Sequence, residues 1–181
     1  MKQHGPWKIV ESNQVYQDPW VTLRHDEVIR PDGEPGSYVV VNLKPGVCVL
    51  AMDEDHNVYL TQEFHYGVGR VTVECVSGGI EVGEDPQLCA RRELEEELGI
   101  CATDWTDLGT TDPFTANVIS PTNLYLARGL SFVETNPEGT ELIESVKCSL
   151  ASAVQMVIDS EISHSPSCLT ILKAAHLNDR V

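Results

Sequence analysis

The sequence predicts an α+β fold: a mixed β-sheet between helices, preceded by a small antiparallel β extension. Three observations predict it. Residues 1–44 hold β-rich segments parted by turn signals. A continuous apolar run, Val47 to Met52, follows Lys44-Pro45-Gly46 and reads as a strand buried on both faces. Strands and helices then interleave irregularly, which disfavours a doubly wound parallel sheet. The expected division is residues 1–44 as the β extension and 45–181 as the main domain.

The elements follow in order. Trp7 to Tyr16 and Trp20 to Ile29 are rich in β-branched and aromatic residues, and Asp18-Pro19 separates them. Pro31-Asp32-Gly33 is a turn signal before a strand over Ser37 to Leu43. Strands are expected over Val58 to Phe64 and Val71 to Val76. A helix follows over Pro86 to Leu98, with Asp85 as N-cap, Pro86 at its first position and Gly99 as terminator. Ala90, Leu94 and Leu98 give it one apolar stripe. Strands near Trp105 to Leu108 and Asn123 to Ala127 come next. Two helices close the chain. One starts near Ser149 with Leu150, Val154, Val157 and Ile158 on a face; the other takes Ser165 as N-cap.

Composition narrows the function. The chain has 181 residues, 41% hydrophobic, with 12 Lys plus Arg against 28 Asp plus Glu, a net charge of −16. Such a chain holds a core but lacks the basic surface for sequence-independent nucleic-acid binding. No apolar run approaches a membrane span, and the start of the chain lacks a signal-peptide core. The six cysteines form no C-x-x-C pair and read as reduced thiols of a cytoplasmic protein. No D-x-[DN]-x-[DN]-G calcium loop occurs.

Helical spacing puts Glu93, Glu96 and Glu97 on one side of the first helix, beside the stripe, while Glu95 points elsewhere. Two carboxylates ~4 Å apart at an effective dielectric of ~20 repel by about 4 kcal/mol. A hard divalent cation, Mg²⁺ or Mn²⁺, offsets that repulsion. Arg92 is placed to bridge to Glu96 and hold its orientation. Gly78-Gly79 leaves backbone carbonyls open to a metal, and Glu84 lies at the positive helix end.

These residues resemble the Nudix hydrolase signature G-x5-E-x7-R-E-U-x-E-E-x-G-U, in which U is a bulky aliphatic. Gly78, Glu84, Arg92, Glu93, Leu94, Glu96, Glu97, Gly99 and Ile100 fill every specified position. The resemblance implies a Nudix α/β/α sandwich and Mg²⁺-dependent hydrolysis of a nucleoside diphosphate linked to another moiety. It implies Glu93, Glu96, Glu97 and the Ser77 carbonyl as metal ligands, and Arg92 as the residue that orients the glutamates. The general base stays open between a signature glutamate and a later loop acid, with Glu141 favoured and then Glu144. Glu97→Gln is expected to abolish activity with little loss of stability, on the expectation that the site is exposed.

Upstream, the chain is similar to the ADP-ribose pyrophosphatase branch, whose N-terminal β extension serves in dimerisation. That implies a homodimer, and a small-molecule nucleotide-sugar substrate split to AMP and a sugar phosphate. Phe64, Tyr66, Arg70 and Glu74 match a Gln-aromatic-Arg-Tyr stretch followed by Arg and Glu-x-Pro-x-Gly. Arg70 is thereby a candidate diphosphate or ribose contact, Glu74 a metal-side or substrate-side acid, and Phe64 and Tyr66 candidate base-stacking rings. His65 stands where the branch has Arg, Glu63 where Gln is common, and Val76 where it has Pro. Dinucleotides such as NADH or diadenosine polyphosphates are the alternative substrates. A non-catalytic ADP-ribose or NAD sensor is the alternative of another class.

Overall fold

The computed structural model describes residues 1–135 and 142–178. It divides into two compact units, Met1–Pro45 with Asp112–Pro121, and Gly46–Thr111 with Thr122–Val181.

The first unit is one sheet. Its strands are β1 (Lys2–His4), β2 (Trp7–Gln17), β3 (Val21–Ile29), β4 (Pro35–Leu43) and, much later in the chain, β10 (Val118–Ile119). The spatial order is β1-β2-β3-β4-β10, antiparallel except for the parallel pairing of β10 with β4. Asp18 makes the β2–β3 turn by accepting from the amides of Trp20 and Val21 at 2.8 and 2.7 Å. The expected boundary near Lys44 takes no account of residues 112–121, which return to this unit because β10 completes its ladder.

The second unit carries β5 (Gly46–Met52), β6 (Asn57–His65), β7 (Arg70–Glu74), β8 (Val76–Gly79), β9 (Ile100–Thr111), β11 (Thr122–Phe132) and β12 (Glu144–Ser149). Its path is β12-β6-β5-β11-β9, with β7 against β6 and β8 against β5. Only β11 and β5 run parallel, so the sheet is mixed as expected. Its helices are α1 (Pro86–Leu98), α2 (Leu150–Ile158) and α3 (Ser165–Asn178). Side chains alternate across a strand, and β5 uses both sides. Val47, Val49 and Ala51 pack with Ala90, Leu94 and Leu98 of α1. Cys48, Leu50 and Met52 pack with Leu150 and Ala153 of α2 and with Ile171 and Ala174 of α3. That is the α/β/α sandwich, with the strand buried on both faces.

Three details depart from the sequence reading. The strand expected over Val71 to Val76 is two, β7 and β8, which meet at Cys75 and pair with different neighbours. Ser165 is the first helical residue of α3 rather than its cap; the carbonyl of His164 accepts the first bond, from the Cys168 amide. Ile158 ends the short α2 65% exposed, and the buried residues of the helix are Leu150 and Ala153.

Candidate active site

The loop after β8 and helix α1 build the acidic centre. Asp85 caps α1 by accepting from the amides of Gln87 and Leu88, and Pro86 costs no hydrogen bond at the first position. Gly99 ends the helix at φ +61°, where a Cβ would meet the Val133 carbonyl at 2.3 Å, so both conformation and space require glycine. Between these caps Ala90, Leu94 and Leu98 are buried against the sheet, and Glu95 is exposed.

Arg92 organises the carboxylates. Its Nε and Nη2 donate to the two oxygens of Glu84 at 3.0 and 3.2 Å, a bidentate pair. Its Nη1 lies 2.8 Å from Glu93 Oε1 and 3.0 Å from Glu96 Oε2. One guanidinium thus ties the loop acid to two helix acids. Glu84 also accepts from the Glu81 amide at 2.8 Å, which closes the loop onto the helix. The Arg92 guanidinium, with that amide, holds the Glu84 carboxyl down at about 2.

Glu93 reaches the loop. A Cβ placed on Gly78 would meet Glu93 Cδ at 1.9 Å and Oε1 at 2.1 Å. The carboxylate therefore lies against the bare Cα of Gly78, next in the chain to the Ser77 carbonyl. The Cys89 thiol lies beside it. Burial first, then the carboxylates of Glu84 and Glu93, push it up to about 12.

Glu97 departs from the expectation of an exposed site: it is only 8% exposed, one turn beyond Glu93 and next to buried Leu98. The apolar stripe and the acid row overlap at this position, which helical spacing alone did not separate. Among the described residues, no three His, Cys, Asp or Glu side chains already surround one point as a metal-holding group. The candidate groups, the Glu93, Glu96 and Glu97 carboxylates and the Ser77 carbonyl, are hard oxygens, a set that suits Mg²⁺ or Mn²⁺.

Two family models match in succession. The model of the nucleoside diphosphate sugar hydrolase N-terminal domain covers residues 7–41, and that of the NUDIX domain covers residues 42–159. The chain belongs to the Nudix family. An ADP-ribose pyrophosphatase of Mycobacterium tuberculosis is 30% identical over 95% of this chain and 84% of its own. A methanol dehydrogenase activator of Bacillus methanolicus is 29% identical over 91% and 90%. A solved structure of an ADP compounds hydrolase shares the fold, with TM-score 0.84 at 20% identity over 99% of this chain and 98% of that one.

Five further candidates of this Nudix chain, Phe64, His65, Tyr66, Arg70 and Glu74, fall on the β6–β7 hairpin. Phe64 and Tyr66 are 57% and 95% exposed. Arg70 is exposed, and its Nη2 donates to Ser163 Oγ at 2.8 Å. Glu74 is buried: Thr72 Oγ1 donates to its Oε1 at 2.7 Å, and His164 Nδ1 lies 3.1 Å from its Oε2. His65 Nδ1 is 3.0 Å from Thr72 Oγ1; because that hydroxyl donates to Glu74, the imidazole must donate to the hydroxyl. Burial pulls His164 below its ordinary value, and the nearby Glu74 carboxylate opposes the shift. Glu144 is the first residue of β12, exposed and opposite Gln62, while Glu141 lies outside the described residues.

Thr72, Ser163, His164 and Ser167 were not singled out from the sequence. No local motif marks them. Only the folded register brings Ser163 to Arg70, 93 residues apart, and Ser167 to Cys75, 92 apart.

Proposed function

We propose that this chain hydrolyses the pyrophosphate of ADP-ribose or a related nucleoside diphosphate sugar, releasing AMP and a sugar phosphate. The observation that carries the reading is the seat of Glu93 against Gly78, within a cluster ordered by Arg92. Glu93, Glu96, Glu97 and the Ser77 carbonyl are the ligands for Mg²⁺ or Mn²⁺. Held by these residues, the cation would supply charge to neutralise phosphate oxygens and to lower the pKa of a water. Arg92 holds the Glu93 and Glu96 carboxylates at fixed angles, so that little reorganisation remains at the reaction step. Water adds to one phosphorus, the bridging P–O bond breaks, and the leaving phosphate takes the electron pair. The water's proton goes to a carboxylate, either one of the signature or Glu141 or Glu144. Arg70, His65 and Glu74 take the substrate's diphosphate and ribose side, and Phe64 and Tyr66 offer exposed rings for the base.

The first unit is assigned to self-association. Its strands leave Val10, Val15, Tyr16, Val39 and Ile119 exposed, apolar side chains available to a second copy of the chain. The cysteines at hand are all unbridged, which suits a reducing compartment. Among the described residues, no helix is long and apolar enough to cross a membrane.

A rate panel tests the reading. With excess Mg²⁺, kcat/KM is compared on ADP-ribose, ADP-glucose, NADH and a diadenosine polyphosphate. ADP-ribose or ADP-glucose leads, with AMP as product. Faster turnover of NADH or the diadenosine compound replaces this reading by the dinucleotide one, and binding without turnover replaces it by a sensor.

A further inference from the structure

The junction of β7 and β8 is a fork in the sheet. β5 and β6 pair directly at Ala51–Tyr59 and Met52–Val58, then part. Into the gap runs one segment of chain. Its first half, β7, pairs with β6 as far as Thr61–Glu74; its second half, β8, pairs with β5 from Val49–Val76 onward. Cys75 is where the partner changes, and it belongs to neither register. A buried amide outside a ladder must find another acceptor.

Ser167 of α3 supplies it. The Cys75 amide donates to Ser167 Oγ at 2.9 Å, and both residues are almost wholly buried, at 1% and 0% exposure. His164, at the cap of α3, holds the same hydroxyl, with Nδ1 at 2.8 Å from Ser167 Oγ and 3.1 Å from Glu74 Oε2. On the far side of the residue, Ser77 Oγ donates to the Cys75 carbonyl at 3.0 Å. A peptide group is planar. Fixing the Cys75 N–H and C=O therefore sets the planes on both sides of its Cα, and with them the course of Val76 and Ser77. Val76 has no pyrrolidine ring to fix its own φ, so its entry into the β5 ladder is set by the bonds at Cys75 together with that ladder.

We infer that Ser167 and His164 are positioning residues for the Ser77 carbonyl, acting through the Cys75 peptide. The inference rests on the proposed role of that carbonyl as a metal ligand. Ser167 reaches the Cys75 amide, and His164 reaches the Ser167 hydroxyl and Glu74, not the Ser77 carbonyl itself. They orient a ligand, and the loss of such support weakens metal affinity or activity by about 10–100-fold.

The test uses the full chain and its Ser167→Ala, His164→Leu and His164→Asn variants. Mn²⁺ affinity is read by electron paramagnetic resonance, kcat and KM on ADP-ribose by product analysis, and folding by circular dichroism. Ser167→Ala and His164→Leu bind Mn²⁺ about 10-fold more weakly or worse. In Ser167→Ala kcat falls while KM for ADP-ribose stays near that of the parent; in His164→Leu, which also loses the contact to Glu74, the Mn²⁺ affinity is the deciding readout. His164→Asn, whose amide donates from nearly the place of Nδ1, recovers most of the loss. Parent-like Mn²⁺ affinity in both Ser167→Ala and His164→Leu overturns the inference. Equal impairment of His164→Asn and His164→Leu overturns the part given to His164. If Ser167→Ala does not fold, the two His164 variants decide. If the parent hydrolyses none of the nucleotides, the proposed function fails, and the Mn²⁺ comparison still decides this inference.

Discussion

The loop–helix segment from Gly78 to Gly99 and the hairpin of β6 and β7 are both polar regions of the same unit, but they are held in opposite ways. The first is held mostly from within. Arg92 reaches Glu84, Glu93 and Glu96, Asp85 caps its own helix, and the Glu93 carboxylate rests on Gly78. The second is held from outside, by Ser163, His164 and Ser167 at and before α3. A segment that holds itself keeps its geometry wherever the sheet supports it. A hairpin held by a distant helix takes its geometry from the rest of the fold.

The sharpest way to break this contrast is at Gly78. Gly78→Ala places a Cβ inside the Glu93 carboxyl group, so the acid must move. A displacement of about 1 Å at a reacting centre costs on the order of 10²-fold in rate. We expect a kcat loss of that order with the fold intact by circular dichroism. Parent-like kcat would show that the Glu93 seat does not matter.

A smaller effect is expected at Glu84. Its carboxyl is held down from the ordinary 4.5 to about 2 by Arg92 and the Glu81 amide. A carboxylate with a depressed folded-state pKa contributes stability above 4.5 and loses it as pH falls toward 2. Glu84→Gln should therefore show a shallower fall in urea midpoint across that acid range than the parent. Parallel curves would mean that Arg92 does not stabilise the loop through this acid.

The smallest effect is expected on the hairpin tip. Tyr66 is 95% exposed, so Tyr66→Ala should change stability by no more than about 0.5 kcal/mol. Its effect should fall on KM for ADP-ribose, with kcat nearly unchanged. An unchanged KM removes Tyr66 from the substrate contacts.

The two regions also differ in how far they can be read from the sequence. Helix α1, its caps, its stripe and the bridge from Arg92 to Glu96 follow from spacings of three, four and eight residues, which a helix converts directly into contacts. The start of α2 near Ser149 is legible too; that Ser149 is its cap, accepting from the Ser152 amide, is seen only in the fold. The burial of Glu97 does not follow, because a helical spacing fixes a face but not how deeply the sheet covers it. The split of β7 from β8 was hidden for another reason. Val71 to Val76 has an unbroken strand-like composition, and nothing in it shows that its neighbours part. β9 was expected only over its apolar centre, yet it runs from Ile100 to Thr111 because β11 pairs along its whole length, including its Asp and Thr residues. Pairing partners far along the chain decide such features, and a single sequence does not display them.

The position of α3 bears on how this enzyme family is trimmed for study. The match to the NUDIX domain model stops at residue 159, and α3 starts at Ser165. A fragment cut at that limit retains every signature glutamate. It also strips Ile171 and Ala174 from the side of the sheet where Cys48 and Leu50 point, and leaves the Cys75 amide facing a void. The shortest useful fragment of this chain is therefore set by the helix that covers the fork, not by the last matched residue.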